Sequence, residues 1–372
     1  MSDAPLIALA AGGTGGHMFP AEALAQELKR RGRRVLLVTD ARGDRYAANF
    51  PADEKFLITA ASPSVGGPIA KAAAAFSLAG ALMKVRSEFR RLKPAAVVGF
   101  GGYPSFPAMR AAAMMKIPHG VHEQNGVLGR ANRMSIGSAA FLAHGFAVLD
   151  RKPENSRAAI VEVGNPVRDA VRAATSVPFA LPRDGDPLRL LVFGGSQGAA
   201  LFSSVVPAAI AQLPGAIRSR LTVVQQAREA ELDAVRAAYA EAGVPVEIAP
   251  FFKDLPARIA AAHLVIARAG ASTVTELSAI GRPSILVPLA IAMDDHQTGN
   301  ARALADAGAA IRIAEKDFTA QTLGAALAAA LGAPDRLEAM AASAKDRVKS
   351  DAAAALADLV EKAIGDIRKA AA

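Results

Sequence analysis

The sequence of 372 residues contains no cysteine and no tryptophan. The lack of cysteine excludes a disulfide framework, a thiolate metal site and a cysteine nucleophile. Aromatic residues make up only 5% of the chain and no nucleic-acid-binding motif is recognisable, so we expect no nucleic-acid partner. The composition is 52% hydrophobic, which indicates a folded protein, and the length indicates about two domains.

Long apolar runs are also missing. The longest, residues 72–83, is 12 residues, whereas a membrane-spanning helix needs about 20. Asp3 precedes the first apolar stretch and no basic leader is present, so no signal peptide is predicted. These features favour a soluble cytoplasmic protein.

The charge of the chain is unevenly distributed. Residues 1–168 hold 22 Lys and Arg against 12 Asp and Glu, whereas residues 169–372 hold 21 against 22. The formal net charge of +9 therefore arises from the first half of the chain. An anionic partner is expected to bind there.

The two halves follow the same plan. Apolar residues 6–11 lead into the glycine-rich turn 12–16 and a helical pattern that contains Pro20. Apolar residues 188–193 lead into a second glycine-rich turn, 194–198, and another helix. Further continuous apolar runs, which are typical of parallel strands covered on both faces, lie at 35–39, 95–98, 117–121, 221–224, 246–249, 264–267 and 284–287.

This pattern predicts an α/β protein with two doubly wound domains. The boundary is expected near residues 164–168 or in the proline-rich stretch 178–187. A last helical segment, at about 335–372, has no strand after it and can pack on either domain. Ligands of doubly wound sheets bind beyond the carboxyl ends of the strands, so two facing domains would form one cleft lined by both glycine-rich turns.

Glycine-rich turns before a helix expose backbone N–H groups to an anion, and a Cβ would block that approach. Neither turn has the lysine of a P-loop. Each turn alone fits a structural tight turn as well as a phosphate site. Their equivalent positions in the two halves favour binding.

Polar residues follow several predicted strands. His17, after the first turn, is a candidate base or acceptor contact, with helix capping as the alternative. Residues 122–125 indicate a site lining, with a solvated turn as the alternative, and they lack the spacing of a HExxH zinc motif. Glu276 can bind the hydroxyls of a ribose, or it can stabilise the first turn of its helix through the helix dipole. The cluster at 294–300 fits a site or a solvated loop, and the motif of residues 184–186 predicts a turn rather than a metal site.

Together these segments resemble the MurG-type N-acetylglucosaminyltransferases of bacterial cell-wall synthesis. The resemblance implies the GT-B fold, with two Rossmann-like domains that face a central cleft. Residues 1–168 would form the acceptor and membrane-facing domain, on which a C-terminal helix at about 346–372 can pack, and residues 169–345 the UDP-GlcNAc-binding domain. The matching segments, in order, are 12–17 with 19–20, 101–105, 122–125, 164–168, 194–198, 268–276 and 295–300.

The family activity implied is inverting, metal-independent transfer of GlcNAc from UDP-GlcNAc to the C4 hydroxyl of MurNAc in lipid I, which forms lipid II for peptidoglycan. No cofactor is implied. The enzyme would lie on the cytoplasmic face of the bacterial inner membrane as a peripheral protein, with other cell-wall synthesis proteins as candidate partners. The basic, partly apolar stretch 69–94, with residues 114–117, is the candidate contact with anionic lipid. An ordinary core-facing helix with a solvated basic face is the alternative.

For direct displacement, our hypothesis is that His17 is the base or a group that orients the acceptor, with Glu123 as a weaker candidate. The resemblance itself implies further residue roles. The implied substrate contacts are Thr14, Gly15 and Gly16 near the sugar and diphosphate, Asn125 on donor sugar or acceptor, Arg168 and Ser196 on the diphosphate or nucleotide, Phe252 on uracil through its backbone, Ala271, Ser272, Thr273, Val274, Thr275 and Glu276 on phosphate and ribose, and Gln297 and Asn300 on GlcNAc.

One position departs from the family pattern. Ala227 stands where relatives often have a small polar residue, so a side-chain contact is not expected there. The rival functions are another GT-B enzyme, such as a UDP-GlcNAc 2-epimerase or a glycolipid transferase, and a nucleotide-sugar-binding protein without catalysis.

Overall fold

The computed structural model describes residues 4–59, 68–194, 200–290, 292, 295–345 and 351–371, and only the backbone of residues 68–75 and 367–371. Ser196, a predicted nucleotide contact, lies outside the described residues. The chain divides into two compact units. Met1–Arg168 with Lys349–Ala372 is called the N-terminal domain, and Asp169–Val348 the C-terminal domain. The division falls between Arg168 and Asp169, at the end of segment 164–168.

The N-terminal domain is built on a seven-stranded parallel sheet with the order β3-β2-β1-β4-β5-β6-β7. Its central strands are buried along almost their whole length, because helices cover both faces. The strands are β1 (Leu6–Ala10), β2 (Arg34–Thr39), β3 (Glu54–Leu57), β4 (Ala96–Gly99), β5 (His119–Glu123), β6 (Phe141–His144) and β7 (Ala159–Glu162).

Five helices connect these strands in the described part of the domain. They are α1 (Gly15–Arg30), α2 (Ala41–Asp44), α3 (Pro68–Leu92), α4 (Ser105–Met114) and α5 (Arg130–Ser135). Apolar side chains of α1 pack on one face of the sheet, whereas α3 and α4 cover the other face through buried residues such as Phe89 and Met109.

The C-terminal domain repeats the architecture with six parallel strands in the order β10-β9-β8-β11-β12-β13. Its strands are β8 (Leu188–Phe193), β9 (Leu221–Gln226), β10 (Val246–Ala249), β11 (Leu264–Ala267), β12 (Ser284–Leu286) and β13 (Ala310–Arg312). Its helices are α6 (Asp169–Ala174), α7 (Ala200–Ala211), α8 (Gly215–Arg218), α9 (Leu232–Glu241), α10 (Leu255–Ala261), α11 (Ala271–Ile280), α12 (His296–Ala305), α13 (Ala320–Leu331) and α14 (Pro334–Lys345). The prediction of two doubly wound α/β domains is confirmed.

The helical segment expected at about 335–372 consists of two helices that belong to different domains. α14 packs on α11 and α13 of the C-terminal domain. The last helix, α15 (Ala352–Ala371), packs on α1 and buries Leu356 and Val360 in the N-terminal core. Arg31 at the end of α1 fastens α15, since it donates to Asp358 (2.6 Å) and to the carbonyl of Ala354 (3.1 Å).

Four strands were not predicted from the sequence. β3 and β7 are edge strands with exposed or charged residues, such as Lys55 and Ile160, and so lack a continuous apolar run. β13 has only three residues. β6 is buried but short, and its polar last residue, His144, interrupts the apolar pattern. In the described part of the chain, no helix has the length and apolar character needed to cross a membrane.

Candidate active site

The glycine-rich turn of the N-terminal domain follows β1 and leads into α1. Thr14 is the N-cap of α1, but its side chain makes no capping hydrogen bond. Gly13 has a φ of +83°, and a Cβ at Gly12 would lie 2.6 Å from Cγ of Pro104, so both positions require glycine. The N–H groups of Gly15 and Gly16 belong to the first turn, where an α-helix offers no internal acceptor.

Asp40 fixes this turn from the end of β2. Its Oδ1 accepts hydrogen bonds from the N–H of Gly13 (3.0 Å) and of Gly43 (2.8 Å), and its Oδ2 accepts from Nε of Arg42 (3.1 Å). Burial raises the pKa of Asp40, but these donors outweigh burial and leave the pKa below its ordinary value. The carboxylate is therefore charged at neutral pH and holds the turn.

His17 lies in the first turn of α1 and is half-buried. Its Nδ1 is 3.1 Å from the carbonyl oxygen of Gly12. A carbonyl only accepts hydrogen bonds, so Nδ1 carries a proton, and in the neutral ring Nε2 holds the lone pair. This is the tautomer that a general base needs.

A second glycine pair packs against the first turn. Gly101 and Gly102 have φ angles of +92° and +74°. A Cβ at Gly101 would lie 3.2 Å from the ring of His17, and a Cβ at Gly102 would lie 2.8 Å from the carbonyl oxygen of Gly12. Glycine at both positions lets the loop after β4 reach the imidazole and the first turn.

His122 is a structural residue of the core. It is fully buried, its Nε2 donates to the carbonyl of Gly164 (3.0 Å) and its Nδ1 accepts from the amide of Gln124 (3.0 Å). Burial lowers its pKa to about 4, so the ring is neutral at pH 7. The side chain of Asn165 donates to the carbonyl of Gln124 (2.9 Å). The predicted segments 122–125 and 164–168 are thus joined.

Glu123 is buried and accepts four hydrogen bonds. Its Oε1 accepts from the backbone N–H (3.0 Å) and side-chain amide (3.1 Å) of Asn125. Its Oε2 accepts from the N–H of Gly129 (2.9 Å) and the amide of Asn132 (2.7 Å). These contacts favour a role in fixing the loop at 125–132, and they orient the NH₂ group of Asn125 toward Glu123. A role of Glu123 as a base stays a prediction.

Arg168, at the end of the N-terminal domain, stacks on α1. Its guanidinium carbon lies 3.7 Å from the centre of the Phe19 ring, and Phe19 contacts Tyr46 edge-on at 6.0 Å. This cation–π contact places a positive charge beside the helix that begins at the glycine-rich turn.

In the C-terminal domain, α11 begins at Ala271, after the three residues that follow β11. Gly270 is its N-cap, and no side chain caps the helix. The hydroxyl oxygen of Ser272 is buried and has no hydrogen-bond partner among the described residues. Ala271 and Val274 are buried, which leaves their backbones as the groups that can contact a ligand, and Glu276 lies one turn into the helix with 6% of its surface exposed.

Gln297 and Asn300 on α12 bind the residues after β11. The Oε1 of Gln297 accepts from the N–H of Ala269 (3.2 Å) and of Leu289 (3.0 Å), and the amide of Asn300 donates to the carbonyl of Ala269 (3.1 Å). The Oε1 of Gln297 is thus used by two backbone N–H groups, and its NH₂ group is the donor end of the amide. Thr273 and Thr275 are half-buried on the same α11 segment.

The segments after β9 and β10 are also fixed. Phe252 is buried under the guanidinium of Arg258, 4.3 Å from the ring centre. Ala227 is buried, and its N–H donates to the carbonyl of Ala249 (3.2 Å). Gln226, the last residue of β9, accepts a hydrogen bond at its Oε1 from the N–H of Gly194 (3.1 Å).

The turn predicted at residues 184–186 is confirmed. The N–H of Arg183 donates to the carboxylate of Asp186 (2.9 Å), and Gly185 has a φ of +87°. Within the described ranges, no three His, Asp or Glu side chains are grouped as metal ligands.

One face of α3 packs in the core and the opposite face is exposed. Val85 and Phe89 are buried, whereas Phe76 is 80% and Met83 56% exposed, next to the exposed Lys84. Met114 of α4 is exposed as well. The side chains of residues 69–75, including Lys71, lie outside the described part.

Two residues that the sequence did not single out shape these segments. Asp40 directly follows β2, so the rule that ligands bind at strand ends applied to it as well. Glu315 bridges the segments after β11 and β12, and no local motif marks it.

Comparison with known proteins agrees with this arrangement. Residues 7–141 match the glycosyltransferase family 28 N-terminal domain and residues 189–357 its C-terminal domain. The chain is 52% identical, over 96% of both chains, to a protein of Methylobacterium nodulans named UDP-N-acetylglucosamine--N-acetylmuramyl-(pentapeptide) pyrophosphoryl-undecaprenol N-acetylglucosamine transferase. A Caulobacter vibrioides protein of the same name is 49% identical over 96% of this chain and 98% of its own.

Among solved structures, MurG of Acinetobacter baumannii is similar with a TM-score of 0.76 and 30% identity, over 96% of this chain and 99% of that chain. A UDP-N-acetylglucosamine 2-epimerase shares the fold at a TM-score of 0.66 and 15% identity. The predicted GT-B fold class is confirmed by these likenesses. Domain matches on both halves and an identity of about half over nearly the full length lead to one assignment: the chain belongs to glycosyltransferase family 28, among the MurG-type N-acetylglucosaminyltransferases.

Proposed function

We propose that this chain transfers GlcNAc from UDP-GlcNAc to the C4 hydroxyl of MurNAc in lipid I, with inversion at the anomeric carbon and without a metal ion, and so forms lipid II. The observation that carries the proposal is the 52% identity, over 96% of the chain, to a transferase whose name states this donor sugar and this acceptor. The 2-epimerase likeness, at 15% identity, concerns the fold alone.

The donor binds to the C-terminal domain. The uncapped start of α11 offers backbone N–H groups to phosphate, and the buried hydroxyl of Ser272 gains a partner there. Glu276, one turn further, accepts from the ribose hydroxyls. Gln297 donates its NH₂ group to GlcNAc, since its Oε1 is used by two backbone N–H groups. Asn300 contributes to the same sugar pocket.

His17 removes the proton from the acceptor hydroxyl. Its bond to the Gly12 carbonyl leaves Nε2 as the basic nitrogen. As the C4 oxygen attacks the anomeric carbon, the bond to the diphosphate breaks and UDP leaves with the electron pair. The N–H groups at the start of α11 stabilise the charge that develops on the diphosphate, and Arg168 and the α1 N-terminus add positive potential.

The exposed face of α3 meets the membrane that carries lipid I. Phe76 and Met83 supply apolar area, while Lys84, Arg90 and Lys93 are exposed cations of the same helix region. Such a surface binds anionic lipid. The protein therefore acts as a peripheral protein on the cytoplasmic face of the inner membrane, where other cell-wall synthesis proteins can join it.

UDP release in the presence and absence of a lipid I analogue tests the reaction. We expect release only with the acceptor. Acceptor-independent formation of the 2-epimer would support an epimerase instead, and UDP-GlcNAc binding without turnover would support a binding protein.

The role of His17 is tested with His17→Ala and His17→Gln. Both variants should lose turnover by about 100-fold, the lower range for general base catalysis, while the Kd for UDP-GlcNAc stays unchanged. Unchanged turnover would exclude His17 as the base.

Membrane contact is tested with vesicles that contain anionic lipid. Replacement of Phe76 and Met83 by serine should release the protein from the vesicles, whereas Met134→Ser, at an equally exposed methionine of α5, should not. Equal binding of both variants would contradict the assignment of α3.

A further inference from the structure

Glu315 connects two strand ends that are distant from it in the sequence. It lies in the 3-10 turn Glu315–Asp317 after β13. Its Oε1 accepts from a guanidinium nitrogen of Arg268 (3.0 Å), the first residue after β11. Its Oε2 accepts from the N–H of Ala290 (2.6 Å), four residues after the end of β12. One carboxylate thus holds both segments.

Arg268 needs this carboxylate. Its side chain is only 9% exposed, and it also donates to the carbonyl of Val287 (3.3 Å) and lies over the ring of Phe202 at 5.2 Å. A guanidinium so far removed from water is costly without an anion. Burial raises the pKa of Glu315, but the N–H of Ala290 and Arg268 outweigh burial and lower it, so the carboxylate is ionised at neutral pH.

Gln297 binds the same two segments at the neighbouring residues. Its Oε1 accepts from Ala269, adjacent to Arg268, and from Leu289, adjacent to Ala290. The position and orientation of its amide therefore depend on how Glu315 spaces the ends of β11 and β12. α11 begins at Ala271, after this segment, and none of its residues takes part in these hydrogen bonds.

We propose that Glu315 is a positioning residue for recognition of the donor sugar: through Arg268 and the N–H of Ala290 it sets the segments that orient Gln297. This inference rests on the proposed function, because it assumes that Gln297 contacts GlcNAc. The proposal predicts different effects on binding of the nucleotide and binding of the sugar. Loss of Glu315 weakens the grip on GlcNAc and leaves the contacts of α11 with UDP intact.

The test is calorimetric binding of UDP and of UDP-GlcNAc to Glu315→Gln. Glutamine keeps the size of the side chain but offers one acceptor oxygen in place of two and no charge. We expect the Kd for UDP-GlcNAc to rise about tenfold, as for the loss of a charge-assisted hydrogen bond, and the Kd for UDP to change less than twofold. Asp317→Asn is the matched control, since Asp317 is an exposed acid of the same turn, and both constants should stay unchanged.

Two results would overturn the proposal: an unchanged Kd for UDP-GlcNAc, or an equal rise for UDP and UDP-GlcNAc. If Glu315→Gln does not fold, Glu315→Asp, which keeps the charge, is measured by the same criterion. The proposed function itself would be refuted if the wild-type protein bound UDP-GlcNAc no more tightly than UDP, or if it bound neither compound. Sugar-dependent binding by the wild type that Glu315→Gln and Glu315→Asp retain would refute only the role of Glu315.

Discussion

Replacement of Glu123 by glutamine should destabilise the N-terminal domain strongly. Each carboxylate oxygen accepts two hydrogen bonds, two from Asn125 on Oε1 and one each from Gly129 and Asn132 on Oε2. The glutamine amide can satisfy only one of these pairs, whichever way it is turned. Two buried donors then face an NH₂ group, at about 1–3 kcal/mol each, so the free energy of unfolding should fall by about 2–6 kcal/mol.

The assay is urea unfolding followed by circular dichroism, with a separate transition allowed for each domain. Hydrogen exchange gives a local check, because the backbone amide proton that faces the new NH₂ group, of Asn125 or of Gly129, should lose protection in Glu123→Gln. Glu154→Gln removes the charge of an exposed acid in the same domain and should change stability by less than about 0.5 kcal/mol.

The outcome separates the two roles considered for Glu123. A variant with wild-type stability and wild-type exchange would refute the hydrogen-bond argument. If such a variant also lost turnover, Glu123 would act in the chemistry rather than in the loop.

The remaining predictions concern stability. Burial lowers the pKa of His122 in the N-terminal domain and of His263 in the C-terminal domain to about 4. Below pH 6.5 these histidines bind protons in the unfolded chain but not in the folded chain, so the free energy of unfolding of each domain should fall by about 2 kcal/mol between pH 6.5 and 5. Urea midpoints that stay constant over this pH range would contradict the assignment. Arg282 is fully buried and donates to backbone carbonyls, among them the bond from its Nε to Ala260 (3.0 Å), so Arg282→Met should cost the C-terminal domain about 3 kcal/mol in calorimetric unfolding, whereas exposed Arg302→Met should not. Arg31→Ala should expose α15 to limited proteolysis, and unchanged cleavage would show that apolar packing alone holds this helix.

The fold was largely predictable because its central strands are buried on both faces. The apolar runs at 188–193, 246–249 and 264–267 coincide with β8, β10 and β11. β3 and β7 could not be found in this way, since an edge strand needs no apolar residue on its open side. The division of the C-terminal segment into α14 and α15 depends on which core each helix covers, and helical periodicity does not contain that information.

The candidate site was predictable where backbone geometry dictates the residue type. Gly12, Gly13, Gly101 and Gly102 are required by positive φ angles or by close approach, and the strand-end rule selected His17 and Glu276 as candidates. The same rule did not distinguish His122, which is a neutral core residue, from its neighbour Asn125. Asp40 stands at a strand end, where the same rule applied to it, but its bond to the N–H of Gly13 appears only in the structure. Glu315 acts on an N–H group that is remote in the sequence and no local motif marks it, so only the structure reveals it.

Mass spectrometry of the product most directly tests the central claim. The purified protein is incubated with UDP-GlcNAc and a lipid I analogue without added metal. We predict a product that is heavier than the acceptor by one N-acetylhexosamine, with one UDP released per product formed. UDP-GlcNAc consumption without any change in the mass of the acceptor would contradict the account.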